Sequence, residues 1–511
     1  MFCKVMSGAL QGIECYLVTV EVDISTGLPC MELVGFLSSE VREAKERVRV
    51  SMHNCGVSIP GQRVTVNLSP ANVRKAGSSF DLPIAVGILG AMGKVEEVWQ
   101  KHVLFVGELG LDGSIRGVKG ILPIVLEARK RGMKACVVPK ENEKEGNLVG
   151  DIAIFGVSHL KETTELVSQK EIPMLLRNDP QIPLIQKEEP DFSEVEGQEA
   201  VKRAALIAAA GFHHFLMLGT PGAGKTMIAK RIPGILPKLS EEECVEVSKV
   251  YSISGLLKEG QMMRRPPYVA PHHSATQQAL TGGGRMPVPG AISLAHKGVL
   301  FLDEMAEFKR EALDSMRQPL EEKRIQITRN TGTFTYPADF MLVGAMNLCP
   351  CGYFPDMGKC HCSLKERKRY RNRVSGPILD RMDICMVVEP VKIEIFSGKK
   401  AGKAITSKVM ADMVKEARSL QEERYRGTDI HHNGHLRGHS IKEYCQLDRA
   451  TERMLEEIFQ KRSMTPRAYF GILKISRTIA DLEKSSKIQK EHVMEALSYS
   501  VDLESLNGEF S

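Results

Sequence analysis

The chain has 511 residues, enough for about three domains at roughly 100–200 residues each. Its 69 basic and 63 acidic residues leave a net charge of +6, so any grip on nucleic acid has to come from local patches. A hydrophobic share of 42% and a charged share of 26% exclude disordered and fibrous classes. No apolar run reaches the roughly 18 residues of a membrane span, and Met1-Phe2-Cys3-Lys4-Val5-Met6 lacks a secretory layout. The expectation is a soluble, cytoplasmic protein without a membrane partner.

In Val18-Thr19-Val20-Glu21-Val22-Asp23-Ile24 apolar and polar residues alternate, which predicts a half-buried strand, and Arg63 to Leu68 repeats the pattern. Between them Val41, Ala44, Val48, Met52 and Cys55 recur at helical spacing, with Gly56 as the stop. A second helical stretch runs from Phe80 to Leu89. These elements predict an α+β domain over residues 1–170. Pro173, Pro180, Pro183 and Pro190 punctuate a charged stretch, so 171–191 reads as an extended linker. Residues 192–390 have parallel-sheet character, and 391–511 are dominated by helical periodicity, as in Met454, Ile458 and the run Ile472, Ile475, Ile479, Leu482.

Gly219-Thr220-Pro221-Gly222-Ala223-Gly224-Lys225-Thr226 matches the phosphate-loop pattern between an apolar strand, Phe215 to Leu218, and a helical stretch. Its backbone N–H groups would wrap ATP phosphates, Lys225 would reach the β- and γ-phosphates, and the Thr226 hydroxyl would ligate Mg2+. Val299-Leu300-Phe301-Leu302 reads as a strand buried on both faces, ending in Asp303, a Mg2+ holder, and Glu304, which would polarise the attacking water. The strand Met341 to Met346 ends in Asn347, a polar residue placed to sense the γ-phosphate.

Lys323 to Tyr336 reads as a hairpin turning at Asn330-Thr331-Gly332. Cys349, Cys351, Cys360 and Cys362 are spaced as C-x-C, eight residues, C-x-C. In a reducing compartment this is either a closed structural Zn2+ site or a set of reduced cysteines, with His361 as a substitute ligand. Lys365 to Arg373 carries six basic residues and one acid; it is either a solvated face or a phosphate contact through Arg367, Lys368 and Arg369. His431, His432, His435 and His439 read as a polar loop rather than a metal site.

The order of phosphate loop, Asp-Glu strand, Asn-tipped strand and Leu379-Asp380-Arg381-Met382-Asp383 resembles the AAA+ superfamily. Ala270-Pro271-His272-His273, Pro289 to His296, Asn347-Leu348-Cys349-Pro350-Cys351-Gly352 and Arg477 to Leu482 narrow it to the magnesium-chelatase-like ATPases of the YifB/ComM group. The resemblance implies an α/β P-loop AAA+ core with a C-terminal helical lid, preceded by an α+β Lon-protease-like (S5-type) domain. It implies that Arg381 is an arginine finger reaching a neighbour's γ-phosphate, the alternative being a salt bridge to Asp380 or Asp383. Arg467 looks like the lid's sensor arginine, with Arg477 as a rival, and Gly197-Gln198 resembles the stretch beside the adenine. An arginine finger requires an oligomer, so a homo-hexameric ring follows. Related motors carry a pore-facing hairpin, so Arg329 either touches a phosphate backbone or sits on a solvated hairpin. In the N-terminal domain Ser79 aligns near a Ser-Lys peptidase nucleophile, but Ile124 occupies the lysine position, so peptidase activity is not expected. The function implied is an ATP-driven motor acting on single-stranded or branched DNA. The alternatives are a chelatase motor subunit and a protein remodeller with no DNA role.

Overall fold

Alternation in the N-terminal part builds a mixed sheet. The computed structural model describes residues 1–174, 190–258, 260–284, 286–330, 332–390, 405–462 and 464–500. Most of the expected linker and the start of the expected C-terminal region therefore lie outside the described residues. These residues fall into two compact units. The first gathers the described parts of Met1–Leu184 with two later segments, Cys244–Met263 and Gln326–Tyr336.

In the first unit, β1 (Phe2–Gln11), β2 (Glu14–Ser25), β3 (Cys30–Val34), β4 (Arg63–Ser69) and β5 (Val103–Phe105) are followed by a two-residue-a-side ribbon, β6 (Glu108–Leu109) with β7 (Ile115–Arg116). β8 (Ala135–Pro139) and β9 (Ala153–Val157) complete a seven-stranded sheet of order β3-β4-β2-β1-β5-β8-β9. The alternating residues behave as a pleat requires: Val18, Val20, Val22 and Ile24 point into the core. Helix Ser39–Asn54 buries Val41, Ala44, Val48 and Met52, starts on the Ser38 hydroxyl, and stops before Gly56 at φ 79°. Helix Asp81–Ala91 is buried almost all round. It can lie this close to the sheet because position 87 is glycine: a Cβ there would come within 2.7 Å of a Val22 methyl. Helix Ile121–Lys130 belongs to a second apolar cluster with Leu104, Val106, Cys136 and Val138. The single tryptophan, Trp99, is fully buried, its indole N–H donating to the Gln169 carbonyl at 2.8 Å.

The second unit is built on five parallel strands. These are β10 (Phe215–Leu218), β11 (Tyr268–Val269), β14 (Val299–Leu302), β17 (Met341–Met346) and β18 (Ile384–Val387), in the order β11-β14-β17-β10-β18. Two ribbons also belong to the chain: β12 (Gly282–Gly283) with β13 (Val288–Pro289), and β15 (Arg324–Arg329) with β16 (Gly332–Pro337). β10, β14 and β17 are wholly buried, which explains why they read as unbroken apolar runs. Because all five strands run the same way, the segments after β10, β14 and β17 emerge at one edge of the sheet, where ligands bind in open α/β folds.

The C-terminal helical region contains Ser407–Arg424, Arg449–Lys461, Pro466–Leu482 and Lys490–Ser498. Ile472, Ile475 and Ile479 are buried as the periodicity predicts. Its polar anchor is Asp481, which is 1% exposed and accepts from Arg424 Nη1 (3.0 Å), Arg477 Nε (3.1 Å) and Asn433 Nδ2 (2.9 Å). Among the described residues no helix is long and apolar enough to cross a membrane.

Removing the Asp481 carboxylate leaves the buried Arg477 guanidinium without its counter-charge. Asp481→Ala is expected to lower unfolding stability by about 3–5 kcal/mol in urea denaturation. Glu416→Ala, which removes an exposed ion pair with Lys484 (2.9 Å), is expected to change it by less than about 1 kcal/mol.

Candidate nucleotide-binding site

The loop between β10 and the helix Lys225–Ala229 takes its shape from glycine. Gly222 and Gly224 sit at φ 79° and 89°, the left-handed region other residues avoid, and a Cβ on Gly219 would strike the Val388 carbonyl. Lys225 is 9% exposed, and its ammonium donates to the Gly219 carbonyl at 2.6 Å, the Thr220 carbonyl at 2.9 Å and Asn347 Oδ1 at 3.2 Å. Burial pulls the Lys225 pKa down, against the opposing pull of Asp303 and Glu304.

Strand register explains why these residues meet. Leu218 pairs with Met346, so Asn347 leaves its strand beside Gly219, and the Gly219 N–H donates to the Met346 carbonyl at 3.2 Å. On the other side of β17, β14 delivers Asp303, whose Oδ2 accepts from the Thr226 hydroxyl at 2.7 Å. The two residues read as Mg2+ holders are thus already in contact. Glu304 follows at φ 49°, ψ 45°, a left-handed conformation that turns the chain sharply into Met305–Glu307. His273 Nδ1 lies 3.3 Å from Glu304 Oε2, and its ring stands 4.0 Å from that of His272. This histidine was missed as a site residue, although Ala270-Pro271-His272-His273 was visible as a motif; no spacing rule links it to a strand thirty positions later. Gln198, also left-handed at φ 58°, donates to the Glu389 carbonyl at 2.5 Å and the Ala223 carbonyl at 3.5 Å, which ties it to the phosphate loop.

The two arginines expected near a γ-phosphate lie together instead on one carboxylate. Arg381 donates to Glu321 and to the Pro377 carbonyl, and Arg467 Nη2 is 3.3 Å from Glu321 Oε1. They line a cleft of about 1370 Å³ to which none of residues 219–226 contributes. The salt-bridge alternative for Arg381 is corrected in its partner: Asp383 is held by Lys474 at 2.7 Å, and Glu321 takes the arginine. Arg477 is not a rival sensor. It is 3% exposed and spent on Asp481 and the Ser485 and Ser486 carbonyls.

The four clustered cysteines converge. Sγ separations are 3.3 Å for Cys349–Cys351, 3.6 Å for Cys351–Cys360 and 3.8 Å for Cys360–Cys349, and all four sulfurs lie within 4.8 Å of one another. A tetrahedral site with Zn–S bonds of about 2.3 Å spaces its sulfurs about 3.8 Å apart, so the donors fit that ion. The Phe354 N–H donates to Cys349 Sγ at 3.4 Å. Burial raises the Cys351 thiol, but the Tyr353 N–H and neighbouring thiols outweigh it and bring it down to about 7. His361 is exposed and outside the group.

Helix Leu364–Arg371 follows, held at its start by a capping box between Ser363 and Glu366. Lys368 and Arg369 are exposed, but Arg367 is corrected as a phosphate contact. It is 6% exposed, its guanidinium lies 4.1 Å over the Phe354 ring, and Nε donates to the Cys362 carbonyl at 3.0 Å. Arg329 is exposed on β15, but the hairpin bearing it packs against the β1–β2 turn, where Gln11 Nε2 donates to the Thr333 carbonyl at 3.2 Å. The segment expected as a polar loop is partly inside the protein: His432 is buried and His435 Nε2 is 3.1 Å from Asp339. Asp339 carries the Lys297 and Lys323 ammoniums, each at 3.1 Å, and its carboxylate, His432 and His435 place one ligand atom each within 4.8 Å of one another. In the first unit Ile124 is packed into the apolar cluster against Gly8, and Ser79 is half-buried with its carbonyl accepting from the Gly107 N–H.

Comparison with known families matches residues 191–395 to magnesium chelatase, subunit ChlI; residues 20–142 to subunit ChlI of Mg-chelatase; and residues 404–500 to the ChlI C-terminal family. The competence protein ComM of Haemophilus influenzae is 39% identical over 498 residues, 97% of this chain and 96% of its own. The protein YifB of Escherichia coli is 38% identical over 491 residues, 96% and 95% of the two chains. The magnesium-chelatase 38 kDa subunit of Cereibacter sphaeroides is 24% identical over 203 residues, 36% of this chain and 59% of that one. With a P-loop α/β core, a C-terminal helical region and 38–39% identity to ComM and YifB over nearly the full length, the chain belongs to the magnesium-chelatase-like YifB/ComM family of AAA+ ATPases.

Proposed function

We propose that this ATPase is a DNA motor, coupling ATP hydrolysis to branch migration or unwinding of single-stranded or branched DNA in recombination or natural transformation. The observation that carries the ATPase half is the meeting of Lys225, the Thr226–Asp303 pair, Glu304 and Asn347 at one edge of the sheet. In this reading residues 219–224 cradle the phosphates through their N–H groups and Lys225 exchanges its carbonyl partners for β- and γ-oxygens. Thr226 and Asp303 would hold Mg2+, which neutralises phosphate charge when bound. Glu304 takes the proton of the attacking water, and Asn347 holds that water or the γ-phosphate. Arg381 and Arg467, clustered away from the chain's own phosphate loop, serve the site of a neighbouring copy, which supports a homo-hexameric ring.

The DNA half is supported by the competence name of a relative aligned over nearly its full length, and by the exposed Lys368 and Arg369. A chelatase-type motor or a protein remodeller is the second reading. The weaker match to the magnesium-chelatase 38 kDa subunit, over 36% of this chain, favours it. The domain reading that accompanies the proposal is 1–170 Lon-protease-like (S5-type), 171–191 linker, 192–390 AAA+ core and 391–511 helical lid, in a cytoplasmic protein. With Ile124 in the lysine position, the first of these serves as a binding surface rather than a peptidase. The four cysteines would hold a structural Zn2+ with no open position for substrate.

Glu304→Gln is expected to bind a fluorescent ATP analogue as the wild type does, while steady-state turnover falls by about 100-fold or more. Normal turnover would refute the assigned base. Elemental analysis is expected to find about one zinc per chain, absent from Cys351→Ser, while metal-free purified protein would refute the site.

A further inference from the structure

Five cationic side chains, Arg310, Lys365, Lys368, Arg369 and Arg373, converge on an open groove of about 880 Å³ that carries a single carboxylate, Glu307. One wall is the helix Leu364–Arg371. It turns Arg367, Tyr370 and Arg371 inward and leaves Lys365, Lys368 and Arg369 exposed, at the three- and four-residue spacing that puts side chains on one helix face. Arg367, stacked on Phe354 and bonded to the Cys362 carbonyl, fixes that orientation. Among the described residues Lys365, Lys368 and Arg369 have no ion-pair partner, whereas Arg310 lies 3.6 Å from Asp314 and Arg373 2.8 Å from Glu307. An open, under-neutralised basic groove suits a phosphodiester backbone, which presents charges in a row.

The other wall reaches the catalytic turn. Glu307 closes the Met305–Glu307 turn that begins at the left-handed Glu304, and its N–H donates to the Glu304 carbonyl at 2.7 Å. The carboxylate that meets Arg373 in the groove is therefore part of the short segment that orients the candidate base.

We propose that this groove binds a nucleic-acid backbone, and that the Arg373–Glu307 ion pair links its occupancy to ATP hydrolysis. A backbone phosphate competes for Arg373, leaves Glu307 with the Tyr370 hydroxyl alone, and loosens the turn that aims Glu304. This rests on the reading of Glu304 as the base.

The test uses the full chain, with fluorescence anisotropy of a labelled single-stranded oligonucleotide and ATPase rate with and without it. Lys368→Glu/Arg369→Glu is expected to weaken binding about 100-fold and flatten its salt dependence by about two phosphate contacts. Arg49→Glu, a charge reversal at an exposed side chain of helix Ser39–Asn54, is expected to bind as the wild type does. Glu307→Gln removes the ion pair but no groove cation, so its DNA-free rate is expected to rise to the DNA-stimulated rate of the wild type and to respond no further. Thermal melting of each variant shows whether it is folded. Unchanged binding by the double variant overturns the groove, as does capture of poly-glutamate in place of DNA. A Glu307→Gln enzyme stimulated like the wild type overturns the link. DNA binding through the groove by a wild type that never hydrolyses ATP overturns the ATPase reading and leaves the groove standing; hydrolysis without DNA binding does the reverse.

Discussion

A lysine ammonium taken nine-tenths out of water has to be surrounded by oxygens, and Lys225 sets that requirement for the whole nucleotide site. Two of its partners are backbone carbonyls that only a glycine-shaped loop can turn inward, and the third is an amide delivered by the adjacent strand. Meeting the charge thus demands Gly222 and Gly224 in left-handed conformations and β10 in register with β17. It also needs β14 next in order, so that Asp303 can reach Thr226. A phosphate offers the same ammonium stronger acceptors than carbonyls do, so the cage is also a measure of what can displace it.

The same rule separates the arginines. Arg477 and Arg424 share Asp481, which is buried, and losing that partner strands a charge; such a pair is structural. Arg381 and Arg467 share Glu321, whose side chain is 50% exposed; the Arg467 side chain is 47% exposed, and exposed pairs are worth only about 0–1 kcal/mol, whereas that of Arg381 is 10% exposed. Arg467, held that lightly, is readily exchanged onto a phosphate. Both lie in a cleft apart from their own phosphate loop, which agrees with the proposal of a site shared between copies. The Arg373–Glu307 pair, with side chains 52% and 40% exposed, belongs to the same light class.

Local patterns were legible from the residues alone. The phosphate loop, the strand before Asp303 and the strand before Asn347 each declare themselves within ten positions, because backbone geometry and burial on both faces leave direct marks on residue choice. The helix face of Val41, Ala44, Val48 and Met52 was equally plain. What the spacing did not carry was partnership across the fold. Arg367 looks like its neighbours in a basic run, and only the position of Phe354 turns it inward. His432 reads as a polar loop residue, yet it is buried against the rings of Phe212 and His435. The hairpin bearing Arg329 was recognisable, but not its packing on a turn more than three hundred residues earlier. His273 beside Glu304 is of the same kind: two side chains brought together by neighbouring strands β11 and β14.

A mixing experiment tests the proposed shared site most directly. Lys225→Ala chains lack a working phosphate loop but keep Arg381; Arg381→Ala chains have the reverse defect. Each alone is expected to hydrolyse ATP at below about 1% of the wild-type rate. An equal mixture is expected to recover as much as about a quarter of it, the fraction of subunit boundaries that pair an intact loop with an intact arginine. A mixture as inactive as its components, or Arg381→Ala chains that hydrolyse ATP normally, would contradict a nucleotide site completed by the neighbouring copy.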